Sequence, residues 1–207
     1  MPFVDSARNN MLDAATQGAP SLAPITYASL HTADPTAGSN EVTGGAPAYA
    51  RKAVTFAAAA SGAAVQNGTD PVFDVPASTT VLAVGYWTAI TAGTFKGWSP
   101  LNGGTVFPFY AANAGDLFTV DGHGYSNSFQ VYVYAITGSA LPTGIAEGTR
   151  YYIIGTSGDT FQLSATDGGA AIAISTDGAG FIQRVVPETF GAQGTLTVTD
   201  ATLRLVG

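Results

Sequence analysis

The strongest constraint on this chain is a period of two. ITYASLH, VFDVP, TVLAVGYWTAI, QVYVYAI, RYYIIGT, TFQLSAT, AAIAIS, FIQRV and TLTVTDATLRLV are β-branched and aromatic runs set apart by Gly, Pro, Asp and Asn. Neighbouring side chains of a strand point to opposite faces, so such runs send one row into a core. No helical pattern separates them, which predicts an all-β chain of antiparallel β-sandwiches, jelly-roll-like, or open barrels. The 26 Gly and 11 Pro among 207 residues supply the turns, short of the roughly 25–30% that marks low-complexity disorder.

One helix is expected, over residues 5–16. Asp5 or Ser6 can cap it, Ala7, Met11 and Ala15 recur at four-residue spacing with Leu12 beside them, and Gly18 and Pro20 stop it. A helix this short with so narrow an apolar stripe is marginal alone. Met11 and Leu12 are therefore candidate interface residues, docked on a sheet or on a neighbouring subunit.

Charge and cysteine content remove several classes of function. Only 10% of residues are charged, against 46% hydrophobic, and the formal net charge is -7. The basic side chains Arg8, Arg51, Lys52, Lys96, Arg150, Arg184 and Arg204 are scattered, whereas phosphate backbones are gripped by clustered Lys and Arg. Nucleic acid is not an expected partner. The lack of cysteine excludes disulfides, thiolate metal sites and a thiol nucleophile together. No apolar run is long enough to span a membrane, and no basic segment followed by an apolar core opens the chain. It is expected neither to cross a membrane nor to carry its own secretion signal.

Catalytic apparatus is not evident. His31 and His123 lie far apart; His31 sits where a strand turns through Ala33-Asp34-Pro35 and reads as a hydrogen-bonded turn residue without Ser or acid partners. No G-x-S-x-G occurs, and Asn102-Gly103-Gly104-Thr105 lacks the lysine and following helix of a phosphate loop. Paired carboxylates suffice for a glycosidase, but Asp70, Asp159 and Asp167 stand in turns where Asp caps its own backbone. Asp121, Asp167 and Asp177 form no calcium-loop series. The expectation is no catalytic residue, no metal and no cofactor.

Aromatics are the ambiguous signal. Tyr86 and Trp87 fall on opposite faces if they share a strand, so one fills the core while the other meets a partner subunit or a sugar ring. Trp98 with Phe107, Phe109 and Tyr110 extends this end. Tyr86, Trp87 and Trp98 join Met11 and Leu12 as candidate interface residues, and a sugar-binding platform stays open as the alternative.

TYASLHTADP, NEVTGG, AYARKAVTF, VGYWTAITAGTFKGW and the terminal ETFGAQGTLTVTDATLRL together resemble a family of small virion proteins of tailed bacteriophages, described as tail fibre or minor structural proteins. From about residue 115 to 186, HGYSN, LPTG, YYI and TFQLSAT resemble a small β module that recurs in phage structural proteins. The organisation this implies is a host β-sandwich domain of residues 1–114 plus 187–207, with residues 115–186 inserted in a loop and PETFGAQGTLTV returning as a terminal hairpin. The resemblance implies a non-enzymatic, self-associating protein on the virion exterior, assembled in the host cytoplasm beside other virion proteins. It favours a tail-attached subunit, with a capsid decoration protein or a carbohydrate-binding adhesin of the host surface as alternatives.

Overall fold

A computed structural model describes residues 23–60, 63–136, 138–199 and 201–204, without the side chains of residues 63, 202 and 204. The helix expected over residues 5–16, with Met11 and Leu12, lies outside them. Among the described residues the fold is all-β and antiparallel, the one helical element being a 3-10 turn at Thr36–Gly38. The described residues divide into two compact units, one from 23–99 and 187–204, the other from 100–186.

The first unit begins with β1 (Tyr27–His31), β2 (Lys52–Ala53), β3 (Thr55–Phe56), β4 (Ala63–Asn67), β5 (Val72–Val75), β6 (Thr79–Val81), β7 (Ala83–Trp87) and β8 (Phe95–Pro100). The second contributes β9 (Val106–Ala112), β10 (Leu117–Thr119), β11 (Gln130–Ala135), β12 (Arg150–Ser157), β13 (Thr160–Ser164) and β14 (Gly178–Val185). The chain then returns to the first unit through β15 (Glu188–Phe190), β16 (Gly194–Thr197) and β17 (Thr202–Arg204).

The first unit is built on a four-stranded sheet, β2-β1-β7-β8, with smaller pairings β15-β6, β16-β5 and β17-β4-β3. β1 and β7 run antiparallel from Tyr27 opposite Trp87 to His31 opposite Ala83. Every residue of β7 is buried, so both of its faces are covered. The run TVLAVGYWTAI is two strands: β6 pairs with β15 and β7 with β1, the break falling at buried Leu82. PETFGAQGTLTV does not close on itself as a hairpin. β15 and β16 each pair with an earlier strand, β6 and β5, so the last segment ties distant parts of the unit together.

The second unit is a closed six-stranded barrel, β10-β13-β12-β11-β14-β9. Closure leaves no free sheet edge in it. Alternation fills its interior with Phe109, Phe118, Val131, Val133, Ile153, Phe161, Leu163 and Ile182, each large side chain stabilising the fold by roughly 2 kcal/mol on burial. Phe118 and Phe161 stack at 6.0 Å. β9 pairs with both β10 and β14 and so belongs to the barrel, which begins earlier than the 114/115 boundary expected from sequence. AAIAIS packs Ile174 into the barrel but joins no ladder, its amides being held by the Leu163 carbonyl and the Asp116 carboxylate instead.

Candidate functional site

Four segments of the first unit meet at the end of β1. Ser29 and His31 alternate along that strand and share one face; both are fully buried. Hydrogen positions follow from their partners. The Ser39 carbonyl can only accept, so His31 Nδ1–H donates to it at 2.7 Å, leaving Nε2 to accept the Ser29 hydroxyl at 2.7 Å. Trp87 Nε1–H donates to Ser29 Oγ at 2.8 Å. The relay from Trp87 through Ser29 and His31 to the backbone is complete with a neutral imidazole. Burial pushes the His31 pKa down to about 4, against the Ser39 carbonyl and Glu41, which favour the cation, and with Arg51, which opposes it.

The β1–β7 register sets Ser29 opposite Gly85. A Cβ at Gly85 would land on Ser29 Oγ and His31 Nε2, so the relay requires glycine there. Gly38, at φ +88°, lies against the benzo edge of Trp87, where a Cβ would overlap the ring.

A second layer covers Trp87. Arg51 Cζ sits 3.4 Å from the Trp87 ring centroid, and Phe95 meets that ring edge-on at 5.0 Å. The Arg51 fork grips Glu41 at 2.9 Å through Nε and 2.7 Å through Nη2, while Nη1 donates to the Ala89 carbonyl at 3.2 Å. Their side chains are only 12% and 19% exposed, so the pair works in a largely dry setting. Glu41 also bridges back to His31 through the backbone. The Tyr49 hydroxyl accepts the Leu30 amide at 2.8 Å and its ring stacks on Phe73 at 6.1 Å. HTADP, NEVTGG, AYARK and VGYW thus supply one cluster that clamps the 32–41 loop and the 49–51 segment onto the sheet.

A serine hydroxyl hydrogen-bonded to an imidazole nitrogen has the outline of a nucleophile and base. The sequence reading gave His31 no serine partner and missed Ser29. Their i, i+2 spacing in a strand was the signal. The pair is closed to chemistry all the same: both groups have no exposed surface, the Ser29 oxygen is engaged by Trp87, and the imidazole is oriented by a carbonyl rather than a carboxylate.

The aromatic interface candidates are buried, with Tyr86, Trp87 and Trp98 at 1%, 8% and 6% exposure. Tyr86 points away from Trp87 as expected, but neither ring is left on an open face. The Tyr86 hydroxyl meets Ser99 Oγ at 3.0 Å and its ring packs edge-on against Phe56 at 5.9 Å. Burial pushes that hydroxyl's pKa up to about 12, the Ser99 hydrogen bond opposing it.

Asp159 and Asp177 hold the chain together at long range, whereas Asp70 accepts the Gln66 side-chain amide four residues away at 2.7 Å. Asp159 accepts the Gly122 amide at 3.0 Å, and Asp177 accepts the Asn113 amide at 2.8 Å and the Tyr110 hydroxyl at 3.1 Å. Among the described residues, no three His, Asp or Glu side chains group as metal ligands. No helix among them is long and apolar enough to cross a membrane.

Fold and cluster together define an all-β protein in which residues of the HTADP, NEVTGG, AYARK and VGYW segments clamp loops onto a sheet. A model of the podophage GP4 fiber I protein gp80 family matches residues 2–121, more than half of the chain, and the chain belongs to that family of phage fibre proteins. No curated protein matches it.

Proposed function

We propose that the chain is a non-enzymatic, tail-attached subunit on the exterior of a tailed-phage virion, acting by assembly with other virion proteins and with copies of itself. Membership of the podophage fibre family carries this reading. The sealed Ser29–His31 pair supports it, because a cluster without exposed reactive atoms serves stability rather than turnover. Cryo-EM or immunogold labelling of purified particles tests it. The expected result is a few to a few dozen copies on the tail; hundreds of copies on the head lattice would make it a capsid decoration protein, and absence from virions would end the proposal. The adhesin alternative rested on Trp87 and Trp98 as a sugar platform, and the burial of both rings gives it no support there.

A further inference from the structure

One end of the barrel holds a half-buried cation with no counter-charge among the described residues. Arg184 lies opposite Val131 in the β11–β14 ladder, and directly opposed residues share a face. Val131 is a fully buried residue of the barrel interior, as is Ile182 two positions before Arg184, so Arg184 turns inward at the barrel's end. Its guanidinium lies over the Phe129 ring, 3.6 Å from the centroid. Among the described residues no carboxylate forms a salt bridge with it, in contrast to Arg51 with Glu41. Its Nε is buried without a hydrogen-bond partner. Arg184 is half-buried, and taking part of a cation out of water without a partner carries a desolvation cost that folds normally offset with an anion.

Two further polar atoms share this condition, one on Tyr125, which feels the Arg184 charge, and one on His123 next to Tyr125. The Tyr125 hydroxyl is buried without a partner; burial pushes its pKa up and the nearby Arg184 charge draws it back. His123 Nδ1 accepts the Tyr125 amide at 2.6 Å, so the neutral ring carries its proton on Nε2, which is also buried without a partner. The residues are 8% and 9% exposed for His123 and Tyr125, with their rings 5.0 Å apart and Phe107 edge-on to Tyr125 at 5.9 Å. Water can satisfy single donors. It does not neutralise Arg184.

We propose that this end of the barrel is a binding site for an oxyanion-bearing ligand, a carboxylated sugar or a phosphate group, received by the Arg184 guanidinium with the Tyr125 and His123 donors beside it. A planar guanidinium matches the two oxygens of a carboxylate or phosphate, and the aromatic rings around it form an apolar wall for the ligand's ring or chain. The site lies wholly within residues 100–186 and is independent of where on the virion the chain sits.

The test titrates the isotope-labelled full-length chain with sodium glucuronate, inorganic phosphate and glucose at constant ionic strength, following the Arg184 Nε–H resonance and the melting temperature. Saturable binding of glucuronate, phosphate or both, without glucose, is the expected result, and the anion that binds identifies the source. Arg184→Met should abolish it, while Arg184→Lys and Tyr125→Phe should each weaken it about tenfold through loss of one charge-assisted hydrogen bond. The last two variants decide the matter if Arg184→Met does not fold. No saturable response to either anion, an unchanged response in the Arg184 and Tyr125 variants, or equal binding of glucose would overturn the proposal.

Discussion

At the residue scale, His31 ties stability to pH. Its pKa is about 4 in the folded chain against 6.5 for a free imidazole. The unfolded chain therefore binds the extra proton first as pH falls. The stability that the neutral imidazole provides is full above pH 6.5 and declines until about pH 4, by about 3 kcal/mol in all. Asp34 works in the opposite sense at lower pH, because burial raises its carboxyl pKa over the opposing Thr36 hydrogen bonds and protonation then favours the folded state. Urea titrations between pH 7.5 and 4 should show the loss, and His31→Gln should flatten the slope while lowering stability at pH 7. A slope identical in the variant would show that His31 is not the group responsible. Gly85→Ala should cost about 1–3 kcal/mol even at neutral pH, since the added methyl falls on the relay; a melting curve matching the parent would contradict the crowding. Little of this was legible beforehand. His31 was visible as a hydrogen-bonded residue at a strand end, but Trp87, which donates to its partner Ser29, comes from another strand, and single-sequence reading does not give the register that sets Ser29 opposite Gly85.

At the element scale, alternation located the principal strands because each has one row of β-branched or aromatic residues in a core. It gave less where pairing partners decide the outcome. TVLAVGYWTAI reads as one strand, yet its halves answer to different partners, β15 and β1. AAIAIS alternates as a strand does, yet its backbone finds a side-chain acceptor and two separate carbonyls, of Leu163 and Thr143, instead of a ladder. The turn between β15 and β16 carries a long-range tie of the same kind: Gln193 accepts the Ala46 amide and donates to the Pro47 carbonyl, both at 2.8 Å. Gln193→Ala should release the 44–49 loop, lowering stability by about 1 kcal/mol and speeding amide exchange at Ala46. Unchanged exchange there would show that the loop is held by Tyr49 and Glu41 alone. Removing Glu41 should cost more, on the order of 3 kcal/mol, because Arg51 would be left over the Trp87 ring without its counter-charge.

At the scale of the whole molecule, the sequence was read as a host domain with residues 115–186 inserted, whereas the backbone divides at residues 99/100 and 186/187. VFPFYAA reads as well with the host domain as with the barrel, and only its pairing with β10 and β14 assigns it to the barrel. That assignment changes how the modules should be separated. A join from Ala114 to Pro187 would strand β9 without partners, exposing Phe109 and Ala111, whereas a join from Ser99 to Pro187 removes the barrel complete. The geometry of the barrel's ends favours the second cut: the Val186 amide donates to the Leu101 carbonyl at 2.9 Å, so the segment starts and finishes at neighbouring points. Closing so small a gap with a short Gly-Ser linker has a low entropic cost. Both tryptophans, Trp87 and Trp98, precede the cut, so tryptophan fluorescence follows the remaining unit while tyrosine signals and far-UV circular dichroism follow the isolated barrel. The expected outcome is a cooperative thermal transition for each piece, the Ser99–Pro187 join keeping a buried-tryptophan spectrum and residues 100–186 melting as a β protein. If the Ser99–Pro187 protein is insoluble or shows solvent-exposed tryptophan while the Ala114–Pro187 join folds cooperatively, β9 belongs with the host domain and the barrel is not an independent module.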